Sequence, residues 1–130
     1  MLRINLTELF VDDQEKARVF YTDKLGFRVH TDEAYGSDGR WLSVVPPDDP
    51  CGVELELVKA NEPAKAVQEY RRSVMTPAMS FITDDLDKTY ETLVAGGVNF
   101  VLPPTKMDYG GRDAMLEDEC GNLIGLHQQD

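Results

Sequence analysis

The stretch LFVDDQEKARVFYTDKLGF, residues 9–27, holds a strand end, a helix cap, a helix and a stop in succession. Leu9-Phe10-Val11 closes an apolar run, and Asp12 and Asp13 stand where an N-cap belongs. Glu15, three residues after Asp12, gives the spacing of a capping box. Ala17, Phe20, Tyr21 and Leu25 then recur at the three-and-four interval of one buried helical face, which predicts a helix over 14–24. Gly26 supplies the stop before a new apolar residue, Phe27.

Working outward, the same grammar returns 72 residues later. Phe10-Val11-Asp12-Asp13 matches Ile82-Thr83-Asp84-Asp85, Lys16 matches Lys88, and Gly39-Arg40 matches Gly111-Arg112. Cys51-Gly52 matches Cys120-Gly121 at an offset of 69, a difference that short loop changes produce. A second helix is predicted over 86–94, capped by Asp84 or Asp85 and ended by Gly96-Gly97, and a third over 64–74 behind Pro63. Strand patterns fall at 3–11, 27–30, 41–45 and 53–58, then at 78–83, 98–102, 112–116 and 122–127. Turn chemistry separates them at Gly36-Ser37-Asp38-Gly39, at 46–50, at Pro103-Pro104 and at Tyr109-Gly110-Gly111. The order is strand, helix, three strands, twice. It predicts an α+β fold of two tandem βαβββ modules, with a first module at 1–60, a linker with a short helix at 61–76 and a second module at 77–130.

Composition limits the partners. The chain has 130 residues, 13 Lys+Arg against 24 Asp+Glu and a formal net charge of −11. Residues 1–60 carry 12 acids and 7 bases and residues 61–130 carry 12 and 6, so both halves are acidic. An acid coat repels phosphate, which argues against nucleic acid and against anionic membrane surfaces. No apolar run approaches the roughly 20 residues that cross a bilayer, and Met1-Leu2-Arg3-Ile4-Asn5 does not read as a secretory leader. Two cysteines are too few for a disulfide scaffold, and a reduced cytoplasmic setting is expected.

Leu9-Phe10-Val11-Asp12-Asp13, the run Phe20 to Phe27, and the ending Asp118-Glu119-Cys120-Gly121-Asn122-Leu123-Ile124 resemble the vicinal oxygen chelate superfamily. That superfamily contains glyoxalase I, the bleomycin-resistance proteins and extradiol dioxygenases, and the likeness runs along essentially the whole chain. The resemblance implies sheets that curl into a cup with helices outside, and a homodimer. It also implies a divalent metal in the cup of the enzymes, held by one side chain from each of four strands. Those positions fall here on Leu6, Glu56, Ala78 and Gly125. Methyl groups and a hydrogen offer no donor, so only Glu56 of the four can bind a cation. No metal and no other cofactor is therefore expected, and the leading expectation is a protein that binds a small molecule in the cup.

Two alternatives stay open. Side chains two apart on a strand share a face, so Glu8 and Phe10 follow Leu6, Glu54 and Val58 flank Glu56, and Leu123 and His127 flank Gly125. Relocated ligands would then be Glu8, Glu54, Glu56 and His127, for a metal-dependent lyase or dioxygenase. Two residues along a strand is about 6–7 Å, whereas a metal–oxygen bond is about 2 Å, which favours solvated carboxylates instead. A carboxylate buried in a cup without metal has a raised pKa unless it finds a donor, so Glu56 is the candidate catalytic base of a metal-free enzyme. Set against that is a rim carboxylate held by Arg or Lys.

The ligand-binding candidates are Leu6, Glu8, Phe10, Trp41, Ala78, Tyr109, Gly125 and His127. Trp41, the only tryptophan, is read as core or as a ring that stacks on a ligand. Met107-Asp108-Tyr109-Gly110-Gly111-Arg112 reads as a cup-side lid or as a polar hairpin turn, with Gly36 to Arg40 as its counterpart. His30 is expected at the surface, and Cys51 and Cys120 as structural residues of equivalent turns. Ser-His-Asp order, phosphate-binding glycine loops and Cys-x-x-Cys pairs are absent from the sequence.

Overall fold

The computed structural model describes residues 1–49 and 51–130. The chain divides into two compact units, Met1–Lys65 and Ala66–Asp130. In the first, β1 (Leu6–Val11), β2 (Arg28–Tyr35), β3 (Gly39–Val45) and β4 (Glu54–Lys59) form a sheet in the order β1-β4-β3-β2. β1 runs parallel to β4, and β3 is antiparallel to β2 and β4. The second unit repeats this with β5 (Met79–Ile82), β6 (Phe100–Lys106), β7 (Arg112–Glu117) and β8 (Leu123–Gln128) in the order β5-β8-β7-β6. Among the described residues two mixed four-stranded sheets and three helices make an α+β fold of two tandem modules, and neither sheet closes into a barrel.

Each crossover helix starts at the second aspartate of the repeated pair, which settles a choice that the repeat leaves open. Asp13 accepts from the Lys16 N–H at 3.0 Å to cap α1 (Gln14–Val19), and Asp85 accepts from the Lys88 N–H at 3.1 Å to cap α3 (Leu86–Ala95). The caps thus share both residue type and geometry at the 72-residue offset. Glu15 does not complete a capping box. It bonds Arg18 and Arg40 instead, and Arg18 foremost holds its carboxyl down at about 2. The helix expected over 14–24 is α only to Val19 and then widens into a π turn, Phe20–Lys24, which ends before Gly26 at φ +82°. α2 (Glu62–Ser73) carries Pro63 in its first turn, and Asn61 accepts from the Ala64 N–H.

Strand alternation then sorts the faces. In the first unit Leu9, Val11, Leu42, Val44, Leu55 and Leu57 are buried, and they lie on the side where α1 brings Ala17 and the π turn brings Phe20 and Tyr21. The Phe20 and Tyr21 rings meet edge to face at 5.3 Å. Full burial of each such side chain is worth roughly 1.5–3 kcal/mol. In the second unit Ala114, Leu116, Ile124 and Leu126 take that role beside Leu86 and Leu93 of α3. The opposite faces carry Leu6, Glu8, Phe10, Trp41, Ser43 and Glu56 in one sheet, and Ser80, Asp113, Met115, Gly125 and His127 in the other.

Several boundaries differ from expectation. Pro103-Pro104 is no turn: both lie inside β6, which is an edge strand with register shifts around them. Successive N–H groups alternate sides, so only one of the two prolines can face the open edge, and the register shift between Leu102 and Thr105 takes both out of the ladder with β7. β2 runs on to Tyr35, well beyond the expected 27–30, because β3 pairs with it along almost its whole length. β1 begins at Leu6 rather than at residue 3. The turn expected at 46–50 shows an Asp49 N–H bond to the Pro46 carbonyl, and its last residue, Pro50, lies outside the described residues.

The turn of residues 118–122 is built around one buried side chain. Asp118 accepts from the N–H groups of Cys120 (2.8 Å) and Asn122 (3.0 Å) and from the Asn122 side chain (2.8 Å). Gln68 of α2 donates to Cys120 O and Asn122 Oδ1 from above the turn. Gly121, at φ +99°, has the conformation such a turn requires. Cys120 is buried here while Cys51 is exposed, so the two sit alike in sequence and unlike in environment.

Candidate functional site

In the first unit the face opposite α1 carries a polar row. Register places Glu8 beside Glu56, Glu56 beside Ser43, and Ser43 beside Thr31. Glu56 is only 7% exposed, and among the described residues it has no hydrogen-bond or ion-pair partner. Burial, then the charges of Glu8 and Glu54, push its carboxyl above its ordinary value. The expectation of an Arg or Lys holding it is not met. Glu54 is better served: Ser43 Oγ donates to it at 2.5 Å and His30 Nδ1 lies 3.4 Å away. His30 itself is exposed, as expected, with Nδ1 at 2.9 Å from Thr31 Oγ1. Leu6 and Trp41 are half-buried, while Glu8 is exposed and Phe10 borders on it. Trp41, paired with Glu33, is thus not a core residue.

In the second unit the corresponding face opens into a cavity of about 390 Å³. Pro77, Leu102, Met107 and Met115 give it apolar walls. The row Ser80, Gly125, Met115 and Leu102 crosses its floor in register. Small residues make this space: a Cβ at Gly125 would meet Ser80 Oγ at 3.4 Å and Pro77 Cγ at 3.6 Å, ordinary contact distances. Ala78 stands at the entry to β5, half-buried, and is not among the lining residues.

One end of the cavity is polar. Asp113 and His127 are cross-strand neighbours on β7 and β8, with His127 Nδ1 at 2.6 Å from Asp113 Oδ1. The Tyr109 hydroxyl donates to Asp113 Oδ2, and that bond raises the phenol above its ordinary value. Gly111 packs on the imidazole edge, where a Cβ would lie 2.6 Å from Cε1 and 3.1 Å from Nε2. Residues 107–111 form a tied turn rather than an open loop: Gly110 N–H bonds Met107 O, Met107 N–H bonds Gly111 O, and Gly111 N–H bonds Asp130.

The structure therefore brings Tyr109, Gly125 and His127 to one cavity, and groups Glu8 with Glu56 on another face. Asp113, Met115, Leu102 and Ser80 line the cavity without any sequence signal of their own. Only the β7–β8 register, invisible before strand pairing is known, sets Asp113 against His127.

Residues 3–126 match the Glyoxalase/Bleomycin resistance protein/Dioxygenase superfamily, and the chain belongs to it. YurT of Bacillus subtilis (strain 168), an uncharacterized protein, is 40% identical over 131 residues, spanning 98% of this chain and all of YurT. Among solved structures, UcmS2 is 32% identical with a TM-score of 0.82, covering 98% of each chain. TnmS3, an antibiotic binding protein from Streptomyces sp. CB03234, is 31% identical with a TM-score of 0.79, covering all of this chain and 98% of its own.

The donor set does not suit the divalent metal that the superfamily's enzymes imply. Of Leu6, Glu56, Ala78 and Gly125, one offers an oxygen. Among the described residues no three His, Cys, Asp or Glu side chains are grouped to hold a metal ion. His127 has Asp113 as its neighbour.

Proposed function

We propose that this protein binds a small, largely apolar organic molecule over the β5–β8 sheet, without a metal. The observation that carries the reading is the 390 Å³ cavity, walled by Leu102, Met107 and Met115 and closed at one end by Tyr109, Asp113 and His127. Binding pockets combine this much apolar lining with a few convergent polar groups. Methionine adapts to irregular and aromatic shapes, and tyrosine adds a rigid amphipathic face. TnmS3, whose fold is close and which binds an antibiotic, supports the same class of ligand.

A thermal-shift screen of aromatic natural products tests the reading. A ligand at 100 times its Kd should stabilise the fold by about 2.7 kcal/mol, and Gly125→Leu, whose side chain enters the cavity, should abolish that shift while the protein stays folded. Equal shifts in both proteins would contradict it.

A second reading rests on Glu56. A carboxylate on a mostly buried strand residue, with a pKa raised by burial and by two neighbouring carboxylates, is suited to accept a proton from a bound substrate. It would make the protein a metal-free enzyme with Glu56 as its base. Turnover that survives Glu56→Gln would rule that out.

A further inference from the structure

We infer that the cavity over the β5–β8 sheet selects ligands carrying a hydroxyl group, which donates its proton to His127 Nε2. This rests on the small-molecule reading above and adds the chemical class.

Asp113 holds two neighbours at once. The Tyr109 O–H donates to its Oδ2, and its Oδ1 lies 2.6 Å from His127 Nδ1. A carboxylate accepts and has no proton to give, so the proton between Oδ1 and Nδ1 belongs to the ring. A neutral imidazole carries a single N–H, and with Nδ1 protonated Nε2 is an acceptor. Among the described residues Nε2 has no hydrogen-bond partner. The backbone next to it is Gly111, which has no side chain to cover that edge of the ring. Asp113 and Tyr109 are thus positioning residues: they hold the ring and choose which nitrogen accepts.

The rest of the cavity favours an aromatic body for that hydroxyl. Met107 and Met115 offer sulfur for contact with ring edges, and Leu102 and Pro77 complete an apolar wall. A ligand that donates to Nε2 while its rings lie on these residues satisfies both ends of the pocket. An ether of the same shape leaves Nε2 without a proton donor, and an unmet polar group inside a pocket weakens binding.

The probes are 2-naphthol and 2-methoxynaphthalene, titrated into the full chain at about pH 8, above the ordinary histidine range. Backbone amide shifts give affinity and location, and imidazole 15N shifts report the tautomer. The expected result is that 2-naphthol binds about tenfold more tightly than its ether, as one good hydrogen bond allows, with shifts over 102–127. The His127 15N pair should show protonated Nδ1 and bare Nε2. His127→Phe should keep ether binding and remove the preference. Asp113→Asn, which preserves shape, should change the 15N pattern and bring the two affinities together.

A bare Nδ1 in the unmodified protein overturns the inference, whatever binds. So does equal or tighter binding of the ether, an outcome that leaves the cavity itself a working site. If neither probe shifts the cavity amides at millimolar concentration, the binding reading fails and the hydroxyl selection fails with it.

Discussion

Gly111 is the residue on which the polar end of the cavity most depends. Its φ is +73°, in the left-handed region, and an added Cβ would lie 2.5 Å from Gln128 O and 2.6 Å from the His127 ring. Gly111→Ala is therefore expected to cost about 1–3 kcal/mol in denaturant unfolding and to push the imidazole off Asp113. An unchanged midpoint would show that the turn relaxes freely. Glu56 makes a different prediction, through pH. Burial and two neighbouring carboxylates raise its pKa, so the folded protein holds this proton more tightly than the unfolded chain does. Stability linked to the neutral form is complete below its ordinary value of 4.5 and is lost as pH rises through the raised, folded value. Glu56→Gln, which stays neutral, should accordingly raise Tm near neutral pH and converge with the parent below about pH 4.5. A parallel offset at every pH would point to packing rather than charge. At this scale the sequence was partly legible. Alternation along β4 groups Glu54 with Glu56 on one face, and the two carboxylates are near enough for Glu54 to raise the Glu56 pKa. The lack of a basic partner follows from three-dimensional neighbours that no spacing rule supplies. Asp113 was illegible for the same reason.

Among the elements, the two helix starts were the most legible because capping is local: an aspartate and the N–H three residues on suffice. Asp13 and Asp85 perform the same task at equivalent places, so Asp13→Ala and Asp85→Ala should each cost about 1 kcal/mol, and the double variant roughly the sum. A loss at one site alone would show that the repeat is not energetic. Pro103-Pro104 shows where local reading stops. Two prolines signal a break in most contexts, but here an edge position and a register shift take both out of the ladder, and each of these is a tertiary fact. The π turn at Phe20–Lys24 has a similar origin. The three-and-four spacing of residues 17–25 announces a buried face without distinguishing an α turn from a wider one, and here Phe20 and Tyr21 are both buried.

At the scale of the whole molecule, one sequence unit used twice has produced two differently equipped faces. The first sheet carries carboxylates around Glu56, whereas the second replaces bulk with Ser80 and Gly125 and thereby opens a cavity. The fold was legible because caps, glycine stops and strand spacing agree across both copies, which is what lets a sequence specify one topology. Ligand chemistry was less so, because it depends on divergence between the copies at positions that only register defines. Among the described residues no helix is long and apolar enough to cross a membrane. The central claim is that the second sheet, through its cavity, holds a small molecule. Mapping the amide shifts caused by 2-naphthol tests it most directly. Saturable shifts are expected at Ser80, Leu102, Met115, Gly125 and His127, all lost in Gly125→Leu. Shifts that persist in that variant, or that gather around Glu56 instead, would contradict it.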